Sequence, residues 1–517
     1  MPKNILLLIA DDLGKYVGAY GCPSVRTPAL DKLAAQGTRF DWAFASTASC
    51  SGSRSTLYTG LHTHENGQYG LNIFRTHFQT FAHVESAPLL FNHAGYRTGI
   101  IGKIHVGPDS VYPWAHREES ETRDVAWVAD RAEAFFGAQR EDERPFFLTV
   151  GYVDPHRDIT TRGKFGNEGR YDARVKPLDV APEDVEVPPW LTDLPETRQE
   201  LAEYYKAIYR TDQGIGMVLD ALERQGVADD TLVVFLSDNG PPFINAKTTL
   251  YDAGTCLPLL VRAPGAQPGV ANPNMVSWAD ILPTFLDWAG LPLDYSTRSG
   301  SGGSSHQVPG GGYGEEDASL RSPPRRGRSF LGVLERSDVV PEAEWQHHVF
   351  GSHTFHELHN YWPTRVLRSR RYKYHRNIAW RLDFPFASDL YASYTFEGIR
   401  NAATPVIGSR TLNNYLFRPA EELFDLETDP DEVVNLATDP KCAEVLAKMR
   451  LTLEQWQQAT HDPWLVRDGC SLEMVARYGK DGLVLPDRFD MDADKPGLGG
   501  VPLLQNIENP VLQRLPA

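Results

Sequence analysis

The sequence predicts an α/β fold: a large, mostly parallel sheet flanked by helices, followed by a smaller C-terminal α+β subdomain. The first apolar run, Ile5–Ala10, is continuous rather than alternating, which is the pattern of a strand buried on both faces of a parallel sheet. Further short apolar runs alternate with amphipathic stretches, the order expected of a doubly wound sheet. Beyond residue 365 that alternation gives way to strands in succession and then one helix.

The elements follow in chain order. Thr27-Pro28 opens a helix, because proline at the first helical position gives up an N–H that would go unused, and Gly37 closes it. A helix near Ser86–His93 ends at Gly95 and feeds a strand at Arg97–Ile101. Phe146–Val153 reads as another buried strand. Residues 198–225 form a long amphipathic helix stopped by Gly226. Thr231–Leu236 and Leu257–Val261 are strands, and Trp278–Trp288 is a helix. Residues 297–327 are rich in Gly, Ser, Pro and Arg and poor in large apolar residues, so a solvated, flexible insertion is expected there. Arg365–Asn377 reads as a hairpin, Glu421–Leu426 as a strand and residues 441–458 as a helix. The expected division is therefore residues 1–364 and residues 365–517.

Composition bounds what such a chain does. Of 517 residues, 41% are apolar and 23% charged, which excludes a disordered, collagenous or coiled-coil chain. The formal charge of −17 makes nucleic acid and anionic membrane poor partners. No apolar run reaches the roughly 18 residues of a membrane helix. The five cysteines are widely spaced, which argues against a disulfide framework. The run from Asn4 to Ala10 is too short for a secretory leader, and no Asn-x-Ser/Thr acceptor occurs. A cytoplasmic location is expected on those grounds, and a lysosomal or secreted one only if a leader has been removed.

Polar groups gather where the predicted strands end. Asp11-Asp12 follows the first strand and Asp238-Asn239 follows another. In open α/β sheets ligands bind at that edge. Three carboxylates and an amide offer hard oxygen ligands, suited to Ca²⁺ or Mg²⁺ rather than Zn²⁺; the alternative is that these residues only cap turns. Cys50 lies near the start of a short helix ending at Gly60, with Arg54 one turn on, an arrangement that favours an anion. Lys103 and His105 point the same way after the Arg97–Ile101 strand, placed to hold a sulfuryl or phosphoryl oxygen and move a proton. Asp154-Pro155-His156 brings a second histidine to the same edge.

This order of clusters resembles the type I sulfatases of the alkaline-phosphatase-like superfamily: Asp11-Asp12, Cys50-x-x-x-Arg54 with Thr59-Gly60, Gly102-Lys103-x-His105, Asp154-Pro155-His156, then Ser237-Asp238-Asn239-Gly240. Within that family the chain is similar to the sulfamidase branch, through Asn66–Leu71, Thr98–Pro108, Arg210–Gly214, Asn435–Pro440 and Thr460–Trp464. The resemblance spans nearly the whole chain apart from the 297–327 insertion, and makes residues 1–364 the catalytic domain. It implies a formylglycine made from Cys50 by a formylglycine-generating enzyme. The hydrated aldehyde attacks sulfur with one hydroxyl, and the other expels sulfate. Asp11, Asp12, Cys50, Asp238 and Asn239 would bind Ca²⁺, with Mg²⁺ also acceptable to such ligands. Arg54 and Lys103 would hold the hydrate and sulfate oxygens, with Lys247 a further sulfate ligand. His105 would assist breakdown of the intermediate and His156 would protonate the leaving group. Asp154, His356 and Glu357 would meet the sugar, with a surface salt bridge the alternative for Glu357. The sequence departs from the family at Gly52, where the modification motif carries Pro or Ala.

The implied reaction is hydrolysis of the sulfamate, or sulfate ester, of a small sulfated amino sugar such as N-sulfoglucosamine or a glycan chain end. A phosphoester or phosphonate hydrolase on the same scaffold is one alternative, and a non-catalytic sulfated-glycan binder is another. A homodimer is the oligomer left open.

Overall fold

The computed structural model describes residues 3–138, 142–296 and 322–465, together with the backbone of two short strands at Met491–Asp492 and Lys495–Pro496. Eight strands form the main sheet: β1 (Asn4–Ala10), β2 (Thr38–Phe44), β3 (Arg97–Gly102), β4 (His116–Glu119), β5 (Phe146–Gly151), β6 (Thr231–Ser237), β7 (Cys256–Arg262) and β8 (Val270–Ser277). Their order is β4-β3-β5-β1-β6-β7-β2-β8. Every pairing is parallel except those of β7 with β6 and with β2, so seven strands run one way. The large, mostly parallel sheet expected from the sequence is what the structure contains.

Both faces of β1 are covered, as its unbroken apolar run requires. Leu6, Leu8 and Ala10 pack with the helices Val125–Gly137 and Pro195–Arg224. Ile5, Leu7 and Ile9 pack on the opposite face with Ala87–His93 and Ile281–Trp288. Each leucine and isoleucine among them contributes about 1.5–3 kcal/mol on full burial. The long helix begins at Pro195, three residues before the expected start, with its proline in the first turn.

Among the elements not anticipated are four strands of the two main sheets and one helix that covers the larger sheet. β4 and β8 are the two edges of the sheet. β4 reads His-Arg-Glu-Glu and β8 contains Pro273, which an edge strand tolerates. The other two strands are β2 and β9 (His348–Phe355), and the helix is Val125–Gly137.

A second, antiparallel sheet places the strand Glu421–Asp425 beside β11 (Tyr372–Asn377), then β10 (Tyr361–Ser369), then β9. Its first strand thus precedes residue 365. The helix Ala443–Ala459 covers it through Leu446, Met449, Leu453 and Trp456. Residues 297–321 of the expected insertion lie outside the described residues. Positions 322–327 run along the main body, where Arg325 donates to the carbonyls of Leu293 and Tyr295. Among the described residues, no helix is long and apolar enough to cross a membrane.

The chain beyond the last helix is tied back by a buried ion pair. Arg365 on β10 donates to both carboxylate oxygens of Asp462 at 2.7 and 2.9 Å, and neither side chain is exposed. Arg365→Ala leaves that carboxylate buried and uncompensated, so a loss of about 3–5 kcal/mol is expected in denaturant unfolding. A loss below about 1 kcal/mol would show that solvent reaches the pair.

Candidate active site

The parallel strands deliver their C-terminal ends to one edge. β1 ends in Asp11-Asp12, β6 in Asp238-Asn239, β3 in Lys103 and His105, and β5 in the loop carrying Asp154 and His156. β2 runs the same way and leads to the helix Cys50–Thr59, which starts at Cys50. Gly102 at the end of β3 has φ +85°, and a Cβ there would stand 2.1 Å from the Gly151 carbonyl oxygen. Only glycine allows β3 and β5 to turn away this close together.

Left-handed backbone gathers at the same place. Asp12 (φ 62°) and His105 (φ 61°) adopt it, as do Asn245 (φ 69°) and Thr248 (φ 66°) on either side of Lys247. Each costs about 1–3 kcal/mol and persists only where the surroundings impose it.

Asp11, Asp12, Arg54, Asp238 and Asn239 are fully buried beneath the floor of the site. The Cys50 thiol lies 3.4 Å from Asp11 Oδ1, and the Lys103 ammonium donates to Asp11 Oδ2. Arg54 Nε donates to Asp238 Oδ2 at 2.9 Å, and its Nη1 to the Lys103 carbonyl at 3.1 Å. Asn239 Nδ2 donates to Asp12 Oδ1 at 2.5 Å, while Asn239 Oδ1 is buried without a partner. Lys247 Nζ donates to Asp12 Oδ2 at 2.8 Å, to His156 Nε2 at 3.0 Å and to Asp389 Oδ2 at 2.9 Å. His156 Nδ1 donates to the Arg157 carbonyl at 2.7 Å, so its proton sits on Nδ1 and Nε2 accepts.

The electrostatics follow from burial among these charges. Burial, with the Asp11 charge beside it, pushes the Asp238 carboxyl up. Asp11 is held well below the carboxylate range because the Lys103, His156, Arg54 and Lys247 charges outweigh its own burial. Burial, then the Asp11 charge, pushes the Cys50 thiol well up. Burial and the Lys103 charge drive His105 well down, and burial and the Lys247 charge lower His156. Both imidazoles are therefore neutral near pH 7.

Above this floor opens a cavity of about 1120 Å³. Cys50, Lys103, His105, His156 and Lys247 line it, and His356, Glu357 and Asp389 form part of its wall. His356 Nδ1 is bonded to Ser49 Oγ at 2.9 Å. Glu357 Oε2 accepts from Ser388 Oγ at 2.5 Å and lies 3.4 Å from His359 Nε2. The exposed side chains of Phe74 and Ile159 stand at the rim.

One expected site residue is placed otherwise. Asp154 is not in the wall of the cavity. Arg123 donates to its Oδ1, and Arg210 Nε to its Oδ2 at 2.5 Å. Both oxygens are thus consumed in a buried ion-pair cluster, so a sugar contact from Asp154 is replaced by support of the loop that carries His156. Asp389 was not anticipated. It sits on the short helix Ser388–Tyr391, remote in sequence from the strand-end clusters, and its Ser-Asp start reads as an ordinary cap.

Comparison with known proteins agrees with this arrangement. The family model Sulfatase matches residues 3–291. Human N-sulphoglucosamine sulphohydrolase is 40% identical over 486 residues, covering 90% of this chain and 91% of the relative. An ulvan-active sulfatase of Formosa agariphila is 27% identical over 513 residues, covering 95% and 86%. Among solved structures, BT4656 in complex with its substrate D-glucosamine-2-N,6-O-disulfate superposes with a TM-score of 0.61 at 19% identity, covering 89% of this chain and 99% of that one. The phosphonate monoester hydrolase of Agrobacterium radiobacter shares the fold at a TM-score of 0.55 and 20% identity, covering 89% and 96%. With its strand-end carboxylates, its helix-start cysteine and this match along the sheet-bearing part, the chain belongs to the sulfatase family.

Proposed function

We propose that this chain hydrolyses the sulfamate of a small N-sulfated amino sugar, N-sulfoglucosamine being the first substrate to test, and releases inorganic sulfate. The observation that carries the reading is the meeting of Asp11 and Asp238 with Cys50 at the floor of one cavity, with Asp12 and Asn239 bonded to each other nearby and Lys103 and Lys247 holding Asp11 and Asp12. The extensive identity to the human sulphohydrolase directs it to an amino sugar.

Sulfatases work with a formylglycine and a divalent metal. The residues here fit both. Asp11, Cys50 and Asp238 offer ligand atoms within 4.8 Å of one another, and the unpartnered Asn239 Oδ1 is a further oxygen donor. Hard oxygen donors suit Ca²⁺, with Mg²⁺ the competitor. The cation would polarise the sulfo group, and Cys50 marks the carbon that would carry the hydrated aldehyde.

The remaining steps belong to the chain's own side chains. Lys103 and Lys247 line the cavity with Cys50 and attract the sulfo group by charge; for Lys247 to bond a sulfo oxygen it must release one of its three partners, Asp12, His156 or Asp389. Arg54, held by Asp238 and the Lys103 carbonyl, fixes the first turn of the helix that presents Cys50. His105, neutral and with Nδ1 unpartnered, accepts a proton as sulfate departs. His156, which lines the cavity with Nε2 bonded to the Lys247 ammonium, is assigned to the leaving nitrogen by its place in the sulfatase motif order.

The match to the sulfatase family favours a sulfo group over a phosphate. The expected result is therefore release of sulfate from N-sulfoglucosamine, and faster turnover of an aryl sulfate than of the matched aryl phosphate. Faster phosphate release would overturn the assignment.

Glu357, with one oxygen on Ser388 and its side chain at the wall, is placed to accept from sugar hydroxyls. Glu357→Ala is expected to lower kcat/KM for N-sulfoglucosamine by about 10–100-fold, the value of hydrogen bonds to a charged acceptor. The loss on a small aryl sulfate should be several-fold smaller. Equal losses on both would remove that role.

A further inference from the structure

Asp389 is a surplus charge in a cavity built for an anion. Its carboxylate reaches the site from a helix 142 residues beyond Lys247. Oδ1 accepts from the Leu390 N–H at 3.0 Å, and Oδ2 lies 2.9 Å from Lys247 Nζ and 4.0 Å from His156 Nε2. The ammonium it touches is already neutralised by Asp12 at 2.8 Å. Lys247 has three protons, and Asp12, His156 and Asp389 accept all of them. A second carboxylate on one lysine is therefore not needed for charge balance at that lysine. It also repels any sulfo oxygen that approaches. Such a group earns its place only if it meets a donor from the substrate.

A sulfamate supplies that donor. Its bridging nitrogen carries an N–H, whereas the bridging oxygen of a sulfate ester carries only lone pairs. Asp389 lies beside His156, 4.0 Å from its Nε2, and the role proposed above for His156 makes this the side of the leaving atom. Resting on the sulfamate reading above, we infer that Asp389 accepts the N–H of the scissile sulfamate nitrogen and sets a preference for sulfamates over sulfate esters. As the S–N bond breaks, the attacking hydroxyl bonds to sulfur and gives up its proton, while nitrogen keeps the S–N bonding pair and gains one proton in exchange, leaving as the amine. The amine so formed is a stronger partner for a carboxylate, so the contact gains strength along the reaction. Towards an ester the same carboxylate offers only lone-pair repulsion. It is thus a specificity-determining residue that discriminates by attraction and by repulsion together.

The test uses two probes that differ only in the bridging atom, phenylsulfamate and phenyl sulfate. Their kcat/KM values are measured for the wild type, Asp389→Asn and Asp389→Ala. Because the readout is a ratio, it does not depend on the fraction of each variant that is folded. The sulfamate-to-ester ratio is expected to fall by at least about 30-fold in both variants, the loss of a hydrogen bond to a charged acceptor. A ratio within about threefold of the wild type, even with both rates reduced, would overturn the inference and leave Asp389 as a holder of Lys247. A wild type that turns over the ester and not the sulfamate would instead take down the sulfamate reading, and this inference with it.

Discussion

Cys50→Ala is expected to lower sulfate release by at least about 10⁴-fold, because the side chain that forms the bond to sulfur is gone. The fold should survive the change. The Cys50 thiol makes one polar contact, to Asp11 Oδ1 at 3.4 Å, and alanine is a better helix former than cysteine. Circular dichroism and the unfolding midpoint should therefore match the wild type while turnover is lost. A variant that keeps a tenth of its activity would show that the reaction does not pass through this side chain. The same substitution separates catalysis from binding, since the Lys103 and Lys247 ammonium groups are untouched and a sulfated sugar should still bind.

Removal of divalent cation is the second large effect. At the floor of the site the Asp11 and Asp238 carboxylates stand close together with Cys50, and Asn239 Oδ1 has no partner. Dialysis against a chelator is expected to abolish turnover, and Ca²⁺ should restore it. The cation should also stabilise the fold by mass action, by about 2.7 kcal/mol at a concentration one hundred times its Kd. Asp238→Asn removes one charge from the ligand set and should raise the Ca²⁺ concentration needed for that stabilisation. A chelator-treated protein that keeps its turnover and its unfolding midpoint would contradict the metal assignment.

The strand-end clusters were legible because of one geometric fact. In a parallel sheet the residues that follow each strand share an edge, so a continuous apolar run followed by Asp-Asp, Lys-x-His or Ser-Asp-Asn points to a common site. Ile5–Ala10 and Thr231–Leu236 carry that signal within a few residues, and the shorter apolar end of Arg97–Ile101 carries it in part. β2, which leads to Cys50, does not. Its Thr-Arg-Phe-Asp-Trp-Ala-Phe mixes charged and apolar residues because it lies towards one edge of the sheet, where Arg39 and Asp41 pair with each other in partial exposure.

Other parts depended on partners that local pattern does not reveal. Asp154 and His156 share one loop, yet Arg123 and Arg210 claim the first and leave the second to the cavity. Those arginines come from a loop and from the long helix, and only folding brings them to Asp154. Asp389 enters from the segment between β11 and the strand Glu421–Asp425, whose course over the cavity is set by packing against the main body. Gly52 shows the same limit. A Cβ there would meet the Thr47 and Thr63 methyl groups at 2.8 and 3.0 Å, a crowding that no reading of the motif alone exposes.

On this mechanism Cys50 becomes the aldehyde that attacks sulfur. The most direct measurement is the mass of the tryptic peptide Phe40–Arg54 from protein that has been shown to release sulfate. The expected peptide is lighter by the exchange of CH₂SH for CHO at Cys50. Active protein in which this peptide carries only an intact thiol would contradict it.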